Sequence, residues 1–158
     1  MQFFIYPRRA SNTFPADVRF LWISITDPDM LHLETPTHFE ENLIARLNLT
    51  FWDAETANDL PGGFWDAENE PPRLPLPETE LFQPGHAKLI LNFIDWHLSR
   101  DPLAIVVNCN GGLSRSPAVA AALAHCFGLP ETEDLIWTQT CPNNRVYSML
   151  VSEARKRV

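Results

Sequence analysis

The residues with most chemistry to offer are consecutive: Val107-Asn108-Cys109-Asn110-Gly111-Gly112-Leu113-Ser114-Arg115-Ser116. An apolar run, Leu103 to Val107, precedes them, and an alanine-rich run, Pro117 to Ala124, follows. A strand before and a helix after would place them at a strand-to-helix turn. Glycines at 111 and 112 allow a backbone in which successive N–H groups point into one concavity. The start of the helix adds its unpaired donors and the positive end of its dipole. The segment from Asn110 through Gly111, Gly112, Leu113 and Ser114 to Arg115 is thus expected to cradle a tetrahedral oxyanion. Cys109 falls at its base, in a field that favours thiolate over thiol. Arg115 offers a planar fork suited to two phosphate oxygens, and Ser116 can donate its hydroxyl to the Cys109 sulfur. No lysine follows the glycines, which excludes the G-x-x-x-x-G-K-[ST] nucleotide loop.

Cys109-x-x-Gly112-x-x-Arg115-Ser116 after an apolar strand resembles the signature loop of the cysteine-dependent protein tyrosine phosphatases. The longer segment Cys109 to Ala118 is similar to small bacterial and phage-type members related to the dual-specificity phosphatases. Leu47 to Asp53 resembles the family's strand and acid loop, and His86-Ala87 the opening of a helix that leads to the signature strand. Pro142-Asn143-Asn144-Arg145 resembles the start of its last helix. One departure stands before the cysteine, where the family usually has His and this chain has Asn108; an amide can preserve hydrogen bonding to the loop.

The resemblance implies a phosphomonoester hydrolase that works in two steps without a cofactor or metal. The Cys109 thiolate attacks phosphorus in line, giving a cysteinyl-phosphate. A carboxylic acid protonates the leaving oxygen and then, as carboxylate, activates the water that releases phosphate. Arg115 and the loop amides stabilise the equatorial oxygens. Three aspartates are candidates for the acid. Asp53 follows a strand in a Phe-x-Asp pattern and ranks first, Asp66 repeats the same local sequence further on, and Asp27 follows the strand at 20–25. The substrate is expected to be a phosphorylated protein or a small phosphomonoester. The alternative is a phosphate-binding pseudophosphatase, an interaction module of weak or no activity, for which Asn108 is the sequence support.

The elements that must hold these residues read as an α/β domain: a central, mostly parallel sheet of about four to five strands flanked by helices, protein tyrosine phosphatase-like, with residues 1–158 as a single domain. Phe20 to Ile25 reads as a buried strand ended by Thr26-Asp27-Pro28, and residues 2–6 as a shorter one. Helical spacing of Phe39, Leu43 and Leu47 predicts a short helix from His38 to Leu47 with Thr37 as its N-cap. Alternation then predicts a strand over 47–51. From His86 to Leu98 an amphipathic helix carries Leu89, Ile90, Phe93, Ile94 and Trp96 as its apolar set. The strand 103–107 is continuous and apolar, as a central parallel strand should be. Pro117 suits the first turn of the next helix and Gly128 its stop. Helices at about 131–140 and 143–156 complete the chain. Residues 54–85, with six of the fourteen prolines, read as one long acidic loop.

Composition narrows the class further. The 158 residues carry a net charge of −8, which disfavours a broad basic face for nucleic acid. Three widely spaced cysteines (Cys109, Cys126, Cys141) build neither a disulfide framework nor a cysteine zinc site, which fits a reducing, cytoplasmic setting. Cys126 and Cys141 read as ordinary, partly buried positions. The apolar start at 1–6 precedes Arg8 and Arg9, the reverse of a secretory signal, and no run reaches about 18 apolar residues, so no membrane span is expected. The acids concentrate locally: eight of the twenty, against one base, lie between Asp53 and Glu80.

Overall fold

The computed structural model describes residues 1–56 and 76–157. Four parallel strands form one sheet in the order β1-β4-β2-β3: β1 (Gln2–Pro7), β2 (Phe20–Thr26), β3 (Leu43–Thr50) and β4 (Ala104–Cys109). β2 and β4 are buried along their whole length, which is why both read as unbroken apolar runs rather than alternations. Their side chains nevertheless divide with period two. Leu21, Ile23, Ile25, Ile105, Val107 and Cys109 belong to one core, and Phe20, Trp22, Ala104 and Val106 to a second.

The first core is covered by helices: α1 (Pro84–Leu98), α2 (Arg115–Cys126), α3 (Pro130–Gln139) and α4 (Asn144–Arg155). α2 is buried from Arg115 to Ala124, and only small residues allow a helix to be enclosed on nearly every side; its alanine run is a packing requirement. The second core has no α-helix over it among the described residues. A short 3-10 helix at Arg8–Thr13 and a single turn at Thr37–Phe39 flank an aromatic cluster there, in which Phe14–Phe20, Phe20–Phe39 and Trp22–Phe39 meet edge to face at 4.9 to 5.2 Å. Each such pair contributes about 0.5–1.5 kcal/mol beyond area burial.

Three sequence expectations are corrected. The helix predicted over His38–Leu47, with Thr37 as its cap, is absent: after the 3-10 turn the chain enters β3 at Leu43. The edge of β2 offers residues 43–50 a ladder, and there Ala45, Leu47 and Leu49 pack on the helical core while the Arg46 guanidinium lies 4.0 Å over the Trp22 ring. On α1, the buried residues are Ala87, Ile90, Leu91 and Ile94, whereas Leu89 and Trp96 are 52% and 80% exposed. α1 packs against α4 and β3, and Ala87, Ile90, Leu91 and Ile94 are the residues that join the helical core. Cys126 and Cys141 are both exposed. No described helix is long and apolar enough to cross a membrane.

Candidate active site

Cys109 ends β4 and Arg115 begins α2, so Asn110 to Ser114 make the entire turn between a buried strand and a largely buried helix. Within the turn, Gly112 is the position that demands glycine. Its φ is +69°, and a Cβ there would lie 2.6 Å from Pro7 N and 2.9 Å from Tyr6 C. Gly111 has nothing within 4 Å of a built Cβ, so the pair of glycines divides into one obligatory and one permissive.

Donors from outside hold the turn by its carbonyls. Asn110 O accepts from Arg8 N–H at 3.1 Å and Leu113 O from Cys141 N–H at 3.0 Å, while Ser114 O accepts from Ala118 and Asn143 N–H, both at 3.1 Å. Carbonyls turned outward leave the amides facing the concavity, the arrangement an oxyanion needs. At the floor, Cys109 is 2% exposed; Gly112 N–H donates to its sulfur at 3.2 Å, and Ser116 Oγ stands 3.0 Å from it.

Arg115 is buried to 2% exposure. Its Nη1 donates to Phe51 O at 2.7 Å and forms an ion pair with Asp27 Oδ1, also at 2.7 Å. Its Nε is buried and has no hydrogen-bond partner among the described residues. An unsatisfied buried donor on a charged group is costly, and an acceptor in the cradle would supply the missing bond.

The three candidate acids part company. Asp53 Oδ1 accepts from Ser114 Oγ–H at 2.7 Å and from Asn143 Nδ2 at 3.1 Å, which fixes it beside the far end of the turn. Asp27 sits on the opposite side, with one oxygen on Arg115 and the other accepting from Asn110 Nδ2 at 2.5 Å. Asp66 lies outside the described residues. Asn108 does not replace a loop-bonding histidine as the sequence suggested. Its Oδ1 accepts from Trp22 Nε1 at 2.7 Å, and its Nδ2 has no partner. Strand alternation explains this, because Cys109 faces the helical core and its neighbour must face away.

Two residues read from the sequence only as part of a helix start also hold the site. Asn143 caps α4 by accepting from Val146 N–H at 3.1 Å and uses its amide nitrogen on Asp53; its place just before an amphipathic helix was the available signal. Arg145 ties down both described ends of the acidic segment, donating to Glu55 O at 3.1 Å and Phe82 O at 2.9 Å and pairing with Glu78.

A parallel four-stranded sheet with helices on one face and a Cys–Arg turn at the end of its central strand defines a class: the chain has the fold of the protein tyrosine and dual-specificity phosphatases. Human DUSP28 superposes with a TM-score of 0.59 at 16% identity, covering 98% of this chain and 92% of that one. The human tyrosine phosphatase-like serine/threonine/tyrosine-interacting protein gives 0.58 at 16% identity, over 99% and 93%. PTPMT1 in complex with PI(5)P gives 0.55 at 12% identity, over 98% and 91%. At these identities the likeness is one of fold. No protein-family model matches the chain, and no curated protein matches it in sequence.

Proposed function

We propose that the protein is a cysteine-dependent phosphomonoester hydrolase of the protein tyrosine or dual-specificity type. The observation that carries this reading is the pairing of a buried thiol, hydrogen-bonded by the turn's own Gly112 amide, with a buried guanidinium that begins the next helix and lacks a partner for Nε. A phosphate in the cradle satisfies that donor and brings phosphorus over the sulfur. The Cys109 thiolate forms the S–P bond as the P–O bond of the ester breaks, and the leaving oxygen takes a proton from a carboxylic acid. Water then attacks phosphorus, its proton passes to the same carboxylate, and the S–P bond breaks. Ser116 Oγ, beside the sulfur, stabilises the departing thiolate by donating to it.

Asp53 serves as the acid and Asp27 as the positioning residue of Arg115. Asp27 already has a guanidinium on one oxygen and an amide on the other, so it is engaged in holding the cradle. Asp53 Oδ1 is held by neutral donors, a hydroxyl and an amide, and no cation engages it among the described residues. The cytoplasmic setting inferred from cysteine usage belongs to the same reading.

The deciding assay is hydrolysis of p-nitrophenyl phosphate. Wild type turns it over, and Cys109→Ser loses on the order of 10³-fold or more in kcat. A second reading, a phosphate-binding interaction module, is favoured by the Asn108 side chain, which is turned onto Trp22 and gives the loop nothing. Inactive wild type that still binds inorganic phosphate would establish that reading and overturn the first.

A further inference from the structure

A cavity of about 940 Å³ opens beside the turn, on the side of the sheet that carries the aromatic core. Arg8, Arg9, Asn12, His38 and Met30 line it, and Asn110 belongs both to its wall and to the Cys109–Arg115 turn. One phosphate needs far less room; the volume suits a drug-sized group.

Arg8 is fixed at this boundary by its backbone. Its N–H donates to Asn110 O at 3.1 Å, and the preceding Pro7 lies so close to Gly112 that no Cβ fits between them. Whatever positions the turn therefore positions Arg8 as well. Arg8 lines the cavity, and its Nη1 is buried and has no hydrogen-bond partner among the described residues. Arg46 repeats the pattern behind Trp22, another wall residue, with an unpartnered buried Nη2. Burial first, then the charges of Arg46 and Arg8, hold nearby His32 below the ordinary histidine range. Glu34 is the carboxylate on the wall, and Asp27, whose oxygens are engaged by Arg115 and Asn110, stands behind the boundary.

We propose that this cavity is a second anion subsite, in which Arg8 receives a phosphate or carboxylate carried by the same substrate whose phosphomonoester lies in the 109–115 cradle. The inference rests on the reading of that turn as a phosphate site and deepens it: the preferred substrate bears two oxyanions, one to be cleaved and one to be held. A guanidinium on the cavity wall offers a second oxyanion a charge-assisted bond that a singly anionic substrate cannot make.

Binding to the Cys109→Ser protein, measured by titration calorimetry, tests this without requiring turnover. Two pairs of probes separate the sources of the second anion: a phosphotyrosine peptide with neutral flanks against the same peptide with glutamates beside the phosphotyrosine, and a hexose monophosphate against a hexose bisphosphate. The second anion is expected to tighten binding by about tenfold in at least one pair. Arg8→Gln in the same background removes that gain, and Arg8→Lys, which keeps the charge but not the fork, retains part of it; a thermal melt checks that both variants fold. A gain confined to one pair supports the subsite and names its source. Equal affinity within both pairs, or a gain that survives Arg8→Gln, overturns the subsite while leaving the cradle intact. No binding by any probe overturns the cradle and the subsite together.

Discussion

At the scale of single residues the site is a set of hydrogen-bond assignments. Two carboxylates flank one turn: Asp27 touches the cation and Asp53 touches neutral donors. Their exchange for asparagine should therefore have different signatures. Asp53→Asn is expected to lower kcat for aryl phosphate by 10²–10⁴-fold, the usual span for a general acid. Asp27→Asn instead raises KM, since Arg115 loses the partner that orients it. If the two variants exchange these signatures, the assignment of roles is reversed. Much of this was legible in the sequence: Cys109, Arg115 and Ser116 follow from types and spacing alone. Which aspartate meets Arg115 was not, because it depends on which strand end lies on which side of the turn. The orientation of Asn108 was missed for a simpler reason, the alternation of side chains along β4.

At the scale of elements, the turn is held by what lies behind it. Gly112 is wedged against the end of β1 with positive φ, so Gly112→Ala adds a left-handed penalty of about 1–2 kcal/mol to a backbone clash. The variant should melt well below wild type and lose turnover, whereas Gly111→Ala, with open space around it, should do neither; equal melting temperatures for the two would refute the wedge. The stem of the acidic segment has its own device. The Gln83 N–H at the start of α1 donates to His86 Nδ1 at 2.9 Å, and the His86 ring stacks on Phe82. Burial holds His86 below its usual 6.5, so the folded state takes up a proton less readily than the unfolded chain. Its contribution is then complete above pH 6.5 and is lost as pH falls through that value and on through the lower folded one. His32 and His97 are lowered too, so the measurement is a difference: unfolding free energy between pH 7.5 and 5 should fall less steeply in His86→Gln, whose amide can accept the same bond without titrating. Parallel slopes would remove His86 from the account. Element boundaries were read well where one face alone is buried or both are, as in β2, β4 and α4. β3 was misread because Phe39, Leu43 and Leu47 fit a helix locally, and only the partner edge of β2 decides between the two.

At the scale of the whole molecule the charge of −8 is unevenly distributed. The acids at the described ends of the acidic segment are already engaged: Asp53 by Ser114 and Asn143, Glu55 by Asn144 N–H, Glu78 by Arg145, and Glu80 by Trp52 Nε1. Asp59, Asp66, Glu68 and Glu70, against Arg73, fall in the intervening residues and carry the remaining excess. The cavity side, in contrast, presents Arg8, Arg9 and His38. The cradle thus lies between a basic wall and the root of an acidic segment, while its own charge comes from amides and Arg115. Arg8 and Arg9 on one side, against Asp53, Glu55, Glu78 and Glu80 on the other, should select substrates by the arrangement of their flanking charge. Phosphopeptides with lysines on one side of the phosphoresidue and glutamates on the other should be cleaved with higher kcat/KM than the reversed sequence. Because the Debye length shrinks from about 10 Å at 0.1 M salt to about 3 Å at 1 M, that preference should collapse over this range, while hydrolysis of p-nitrophenyl phosphate, which has no flanks, changes little. A preference that persists at 1 M salt would mean that shape, not long-range charge, does the selecting; no preference at low salt would mean that the acidic segment and the basic wall do not act on the same substrate.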